Sequence, residues 1–343
     1  MGKPLISTEE KATVTTQAQW LTATGPGQVT IDKGQTETLP EGHVRVQVAY
    51  VGVCHSDTAM VREGQGPFPS RLGHEVSGTI TESTDPVLPA GMPIAAYITN
   101  GYATEIIVPN NRIIPLHPGC SLKDAALAEP LACVIGGLEM LDLGQVSEVI
   151  LVGAGFMGLM ALRLLVAQGH RVTVIEPRET ARELASNWGA DRTLHPDQIP
   201  PAMMQNNPVV IEATGAAAGL DLAANMVQIG GTLGIMGYHQ SNGGKRTVDM
   251  ESWNYRALRV LSLHHRNPTD VMRWMDRAQL LSAHKILSPS ELVDSLVRLE
   301  DLPALFAGHG VHGSIKTLLD LTGEVTETGG KGEPSDTHVP PTL

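Results

Sequence analysis

Aromatic residues are scarce in this chain: Phe, Tyr and Trp make up 3% of its 343 residues. So few rings argue against a pocket for a large planar ligand. Cysteine is scarcer still, with three, which excludes a disulfide framework and fits a reducing compartment. Basic residues are outnumbered, 24 Lys and Arg against 36 Asp and Glu, for a formal net charge of −12. No Lys/Arg run supplies the positive face that nucleic acid requires, so the acidity serves solubility. No apolar run is long enough to span a bilayer. The most apolar stretch, 149–167, is broken by a glycine motif and an arginine. Met1 to Lys11 is polar and lacks the apolar centre of a signal peptide. The expectation is a cytoplasmic protein with neither membrane nor nucleic acid as partner.

What is present points to an α/β protein of two domains, since the length exceeds one ordinary core. Gly and Pro are plentiful, 36 and 23. From Gln17 to about Pro115 the pattern is short strands and turns. Val44 to Val48 alternates toward Val53, and Val76–Ile80 and Ile106–Val108 are further strand candidates. From Val149 the texture changes. A β run, Val149 to Val152, leads into a helical pattern from Phe156 to Gln168 that Gly169 stops. Strands at 171–175, 209–211, 232–236 and 260–263 alternate with helices at 181–188, 219–228 and 268–281. That alternation predicts a doubly wound parallel sheet. A last strand at 314–319 is placed to return to the first domain. Residues 1–13 and 323–343 read as flexible tails, the second poor in apolar residues.

Two constellations carry chemistry. The first is Gly153-Ala154-Gly155-Phe156-Met157-Gly158, which follows a strand, opens a helix and precedes an acidic residue, Glu176, at the end of the next strand. The first glycine permits the turn, the second lets backbone approach a pyrophosphate, and the third lets helix and sheet pack. The helix N-terminus offers N–H groups to phosphate. Glu176 is suited to the adenosine ribose hydroxyls and repels a 2′-phosphate, which favours NAD over NADP. Arg178 is the counter-signal. The second constellation is Cys54-His55-Ser56-Asp57, Gly73-His74-Glu75 and Glu129-Pro130-Leu131. Thiolate, imidazole and carboxylate suit zinc. Cys54 and His74 are the leading ligands, with Glu75 or Glu129 completing the set. Cys133, four residues after Glu129, is a rival fourth ligand. Taken singly, Cys54 reads as a small buried hydrophobe and His74 as a bonded core histidine. Cys120, in a Pro-Gly-Cys turn, reads as inert.

With these motifs, joined by Gly101-Tyr102-Ala103-Thr104-Glu105 and Gly313-Ser314-Ile315-Lys316, the chain resembles the zinc-dependent medium-chain alcohol/polyol dehydrogenases from about Gln17 to Leu321. The resemblance implies a Rossmann domain at 143–285 and a mostly β GroES-like catalytic domain formed by 14–142 with 286–322. It implies catalytic zinc on Cys54 and His74, Glu75 as an exchangeable ligand, and Glu129 as the ligand of the sorbitol-dehydrogenase-like branch. Asp57 would stand behind the histidine ligand. Ser56 would pass the substrate proton, and His55 would lie near the cofactor pyrophosphate. The cysteine lobe for a structural zinc is missing, so one zinc per chain is expected. Ala59 stands where some members extend the proton relay with histidine, which leaves His239, His264 and His265 as stand-ins.

The implied reaction is reversible hydride transfer between a secondary alcohol of a polyol, sugar or cyclitol and the nicotinamide. Tyr238-His239-Gln240, at a strand carboxyl end, is placed to read hydroxyls. Lys245 and Arg246 read as a solvated loop or as contacts for an anionic substrate. The rivals are a zinc-free quinone or enoyl reductase on the same fold and a non-catalytic NAD-binding sensor. An exposed sheet edge near Arg259–Leu263, including Val260 and Leu261, predicts a homodimer or a tetramer of dimers.

Overall fold

A computed structural model describes residues 17–35, 37–309 and 313–323. The expected arm at 1–13 and the tail beyond Gly323 lie outside them. Among the described residues no helix is long and apolar enough to cross a membrane.

The first half is β-rich. A hairpin of β1 (Ala18–Gly25) and β2 (Gln28–Gly34) turns at Pro26-Gly27, where Gly27 takes φ +66°. β3 (His43–Val53) is the long central strand. β4 (Ser70–Arg71) pairs with β1 and completes a three-stranded sheet. β5 (Val76–Ser83), β6 (Pro93–Ala96), β7 (Glu105–Pro109) and β8 (Ile113–Pro115) join β3 in a second sheet. In β3, Val44, Val46 and Val48 are buried, and from Ala49 to Gly52 every residue is. The alternation lapses because both faces are covered there.

The second sheet type is parallel. β9 (Glu148–Val152), β10 (Arg171–Ile175), β11 (Arg192–Leu194), β12 (Asn207–Glu212), β13 (Val227–Ile235) and β14 (Arg259–Ser262) lie in the order β11-β10-β9-β12-β13-β14. Every pairing in it is parallel. This is the Rossmann order, with its switch point between β9 and β12. The chain then returns to the β-rich half. β15 (Ser295–Val297) pairs with β16 (Thr317–Asp320), and β16 runs antiparallel to β3 at Tyr50–Val53.

Helices tie the halves together. Ala128–Glu139 packs on Pro268–Ala283, and a side chain at Gly136 would meet the Trp274 ring at 2.8 Å. One buried cluster runs from Ala95 and Ile114 in the β-rich half, through Leu131 and Ile135, to Leu151 and Val174 in the parallel sheet.

Candidate functional site

The donor residues stand where β3 ends and β5 begins. Cys54 leaves β3 in extended conformation and caps the helix His55–Arg62. His74 and Glu75 form the approach to β5, antiparallel to β3. One ligand atom each from Cys54, His74 and Glu75 lie within 4.8 Å of one another. Ser56 Oγ donates to Cys54 Sγ at 3.1 Å.

His74 is oriented from behind. Its Nδ1 lies 3.4 Å from Asp57 Oδ1, which leaves Nε2 for a cation. Asp57 Oδ2 in turn accepts from the Tyr102 hydroxyl at 2.9 Å. That hydroxyl also accepts from Cys54 N at 3.3 Å. Burial pushes the His74 pKa down, but Asp57 and Cys54 together hold it well above its ordinary value. Positive charge is therefore favoured at this point. A soft thiol, an imidazole and a carboxylate, backed by a carboxylate on the imidazole, fit zinc.

Glu75 is buried and paired with a buried lysine. Lys316 Nζ lies 2.6 Å from Oε2 and 2.8 Å from Oε1, and it also donates to Val53 O at 3.2 Å. The same ammonium sits 4.7 Å from the centre of the Phe156 ring, at the start of the cofactor helix. Gly52 makes room for this arrangement: a side chain there would meet Glu75 Oε2 at 1.7 Å. Glu129 and Cys133 come from the helix Ala128–Glu139 but fall outside the 4.8 Å group. The Cys133 thiol donates to Glu129 Oε1 at 3.5 Å. Burial, then Glu129, pushes the Cys133 pKa well up, so it stands as a thiol donor beside Glu129.

The glycine fingerprint borders a cleft of about 450 Å3 at the carboxyl ends of β9, β10 and β12, lined by Gly153, Gly155, Glu176, Arg178 and Thr214 among others. Gly153 takes φ +105°. Nothing lies within 4 Å of a side chain placed at Gly155, whereas one at Gly158 would strike Gly153 O at 2.2 Å. The second glycine therefore keeps backbone open and the third permits close packing. Phe156 and Met157 are half-buried at the helix start, and His55 is exposed at the start of its own helix.

Glu176 differs from the expectation of a carboxylate free for ribose. It is 4% exposed. Oε2 accepts from Ala154 N at 2.9 Å, and Oε1 from Arg178 N at 3.0 Å and Arg178 Nε at 2.9 Å. Burial raises its pKa, but Arg178 and the two backbone N–H groups outweigh that and hold it low. The charge expected to repel a 2′-phosphate is thus largely balanced by its neighbour.

The histidine stand-ins are committed elsewhere. Arg246 Nε donates to His239 Nδ1 at 2.8 Å, which fixes the proton on Nε2, 2.9 Å from the buried Glu212 Oε2. His265 Nε2 lies 2.8 Å from Gly136 O. Burial lowers the His264 pKa. Arg246 also donates to Ser241 O, Lys245 O and Gly215 O, so it braces its own loop.

Sequence reasoning assigned no role to Tyr102, Lys316, Glu212 or Gln65. Lys316 carried a signal: a lysine leading directly into a buried strand needs a buried partner. Gln240, expected to read hydroxyls, bridges instead. Its Nε2 donates to Ser56 O at 3.1 Å, and Gln65 Nε2 donates to Gln240 O at 3.3 Å. These bonds join the loop after β13 to the helix carrying Ser56.

Comparisons with known proteins agree with this geometry. Residues 40–118 match the model of the alcohol dehydrogenase GroES-like domain, and 157–280 that of the zinc-binding dehydrogenases; together they cover more than half of the chain. The chain is 24% identical over 294 residues to galactitol 1-phosphate 5-dehydrogenase of Escherichia coli K12, covering 73% of this chain and 84% of that one. It is 26% identical over 271 residues to D-altritol 5-dehydrogenase of Agrobacterium fabrum, covering 67% and 79%. Among solved structures, a zinc-binding dehydrogenase of Sinorhizobium meliloti 1021 bound to NADP superposes with a TM-score of 0.78 at 21% identity, covering 89% and 99%.

Proposed function

The chain belongs to the zinc-dependent medium-chain dehydrogenases, and from that premise we propose that it oxidises a secondary alcohol of a polyol, sugar or cyclitol, or reduces the matching ketone, with NAD. The family and the site both call for zinc and a nicotinamide cofactor. The observation that carries the reading is the approach of Cys54, His74 and Glu75 to within 4.8 Å. A zinc-free reductase has no use for that trio. The two named relatives act on galactitol 1-phosphate and D-altritol, which supports a polyol substrate.

Cys54 and His74, with Glu75 and/or Glu129, would hold the metal. When bound, zinc would supply Lewis acidity toward the substrate oxygen and the nicotinamide would supply the hydride acceptor. Asp57, braced by Tyr102, fixes the imidazole of His74 in its ligating tautomer. Ser56 carries the proton: its hydroxyl lies 3.1 Å from Cys54 Sγ. His239 does not extend the relay, because a proton on Nδ1 would confront the Arg246 guanidinium. Glu176 is the proposed acceptor for the adenosine ribose and the source of NAD preference, moderated by Arg178. The proposed unit divides as 14–142 with 286–322 for catalysis and 143–285 for the cofactor, in a cytoplasmic homodimer or a tetramer of dimers.

Metal analysis together with a polyol and cyclitol panel, read as reduced cofactor with NAD and with NADP, tests this. One zinc per chain and NAD-linked turnover are expected. Cys54→Ser should lose metal and turnover together while keeping NAD affinity, because the fingerprint lies on the other sheet. Two tightly bound zincs, or full activity without any, would sink the proposal.

A further inference from the structure

The helix that carries Ser56, His55–Arg62, is eight residues long and largely polar, with Asp57, Ala59 and Val61 buried. A helix this short gains little from its own backbone bonds, so outside contacts decide where it sits. Gln240 supplies two of them from the other half of the molecule. Its Nε2 donates to Ser56 O at 3.1 Å, in the first turn. Its backbone carbonyl accepts from Gln65 Nε2 at 3.3 Å, three residues beyond the last turn. One residue thus grips the segment near both ends, and a two-point grip resists rotation as well as sliding.

Gln240 stands on a braced loop. Glu212, 0% exposed at the end of β12, accepts through Oε1 from Thr214 N at 2.6 Å and Gly215 N at 2.8 Å. Its Oε2 lies 2.9 Å from His239 Nε2. Arg246 closes the loop from the other side, donating to His239 Nδ1 at 2.8 Å, Ser241 O at 2.6 Å and Gly215 O at 3.1 Å. Gly237 permits this close approach: a side chain there would meet Gly215 N at 2.2 Å and Glu212 Oε2 at 2.7 Å. Thr214 also lines the cofactor cleft. The residues flanking Gln240 are therefore tied to the turn that borders the cofactor.

The amide itself is oriented, because only Nε2 can face the Ser56 carbonyl. Oε1 is buried and has no partner among the described residues. A buried acceptor left open lowers stability, and a methionine of similar length would fill the same space without one. Packing alone gives no reason for glutamine here, whereas the bond to Ser56 O does.

We propose that Gln240 is a positioning residue for the proton step: from the cofactor half it seats the helix His55–Arg62, so that the Ser56 hydroxyl keeps its place beside Cys54. This rests on the dehydrogenase reading above and adds a residue that acts through Ser56. Proton and hydride leave the same alcohol, so the group that takes the proton must be registered to the half that binds the hydride acceptor. A displacement of about 1 Å costs up to about a hundredfold in rate.

Gln240→Met and Gln240→Glu in the zinc-loaded enzyme test the inference. Both keep the reach of the side chain, and neither donates to a carbonyl at neutral pH. With the best alcohol of the panel, kcat should fall about tenfold or more while KM and NAD affinity stay within about twofold, since the lost contact serves the transition state. The methionine variant should melt no lower than wild type, because the open acceptor is gone. In a Ser56→Ala background the same substitutions should add less than about twofold, as residues acting through one another are not additive. Amide exchange across residues 55–65 reads the anchor without turnover and should quicken about fivefold when one hydrogen bond is lost. Wild-type kcat in either variant, an equal loss with and without the Ser56 hydroxyl, a loss that merely follows a lower melting temperature, or unchanged exchange would overturn the proposal. Exchange also separates the two claims. If it quickens while no alcohol reduces the cofactor in wild type, the anchor stands and the dehydrogenase reading falls. If alcohol is oxidised and exchange is unchanged, the dehydrogenase reading stands and the anchor falls.

Discussion

At the scale of single residues, the proposed cofactor preference rests on two side chains that neutralise one another. Glu176 is held by Arg178 through Nε at 2.9 Å and through its guanidinium NH2 at 3.1 Å. Removing one exposes the charge of the other. Glu176→Ala should free Arg178 for a 2′-phosphate and raise kcat/KM for NADP relative to NAD by about tenfold, and Arg178→Ala should lower that ratio by a similar factor. Ratios moving the opposite way, or not at all, would place cofactor choice elsewhere. Thiol chemistry gives a second check. Burial, then Asp124, pushes the Cys120 thiol up to about 12, so almost no thiolate forms at pH 8. A thiol reagent at that pH should leave Cys120 unlabelled in the native enzyme and label it after denaturation; rapid native labelling would contradict the burial. The site's donors were legible because Cys54, His74 and Glu75 sit in short local frames. Tyr102, Lys316 and Glu212 were not, because each acts through a partner 27 or more residues away, as in Tyr102 to Asp57 and Lys316 to Glu75.

At the scale of elements, the strand–turn–helix of the fingerprint is set by where side chains are missing. The helix Phe156–Ala167 lies against β9 and β10, and Gly158 has no Cβ to strike Gly153 O, which one there would meet at 2.2 Å. Gly158→Ala should displace that helix, cost about 1–3 kcal/mol of stability as overpacking does, and weaken NAD binding through the moved N-terminus. Thermal unfolding and cofactor titration measure the two effects; an alanine variant equal to wild type in both would refute the packing argument. Periodicity made this region readable. The helix expected at 156–168 ends at Ala167, and the strand expected at 171–175 is Arg171–Ile175. It failed where tertiary contacts decide. The helix His55–Arg62 is short and largely polar, and Asp57, Ala59 and Val61 are buried only because the chain docks there. The three-residue strand Arg192–Leu194 has no pattern of its own and is defined by pairing with β10.

At the scale of the whole molecule, one feature is unfinished. Among the described residues β14 pairs only with β13, so there the six-stranded sheet ends on an open edge. An open edge invites pairing with another chain. Val260 on it is 39% exposed, and Tyr255 in the preceding helix is 83% exposed. Leu261 instead packs on the main buried cluster, and Leu263 is 1% exposed, so the contact expected of Leu261 passes to Val260 and Tyr255. A two-fold axis beside β14 would pair each edge with its copy, join two sheets into one and cover these side chains, and such an isologous contact closes on itself. The expected mass in solution is therefore twice 36.5 kDa, or four times if dimers pair again. Val260→Lys places like charges across the axis and should shift the enzyme toward monomer without removing zinc or NAD binding, since neither site touches β14. Light scattering that finds wild type at monomer mass at micromolar concentration rejects the edge as an interface. A Val260→Lys variant that stays fully dimeric would move the interface to another face of the molecule.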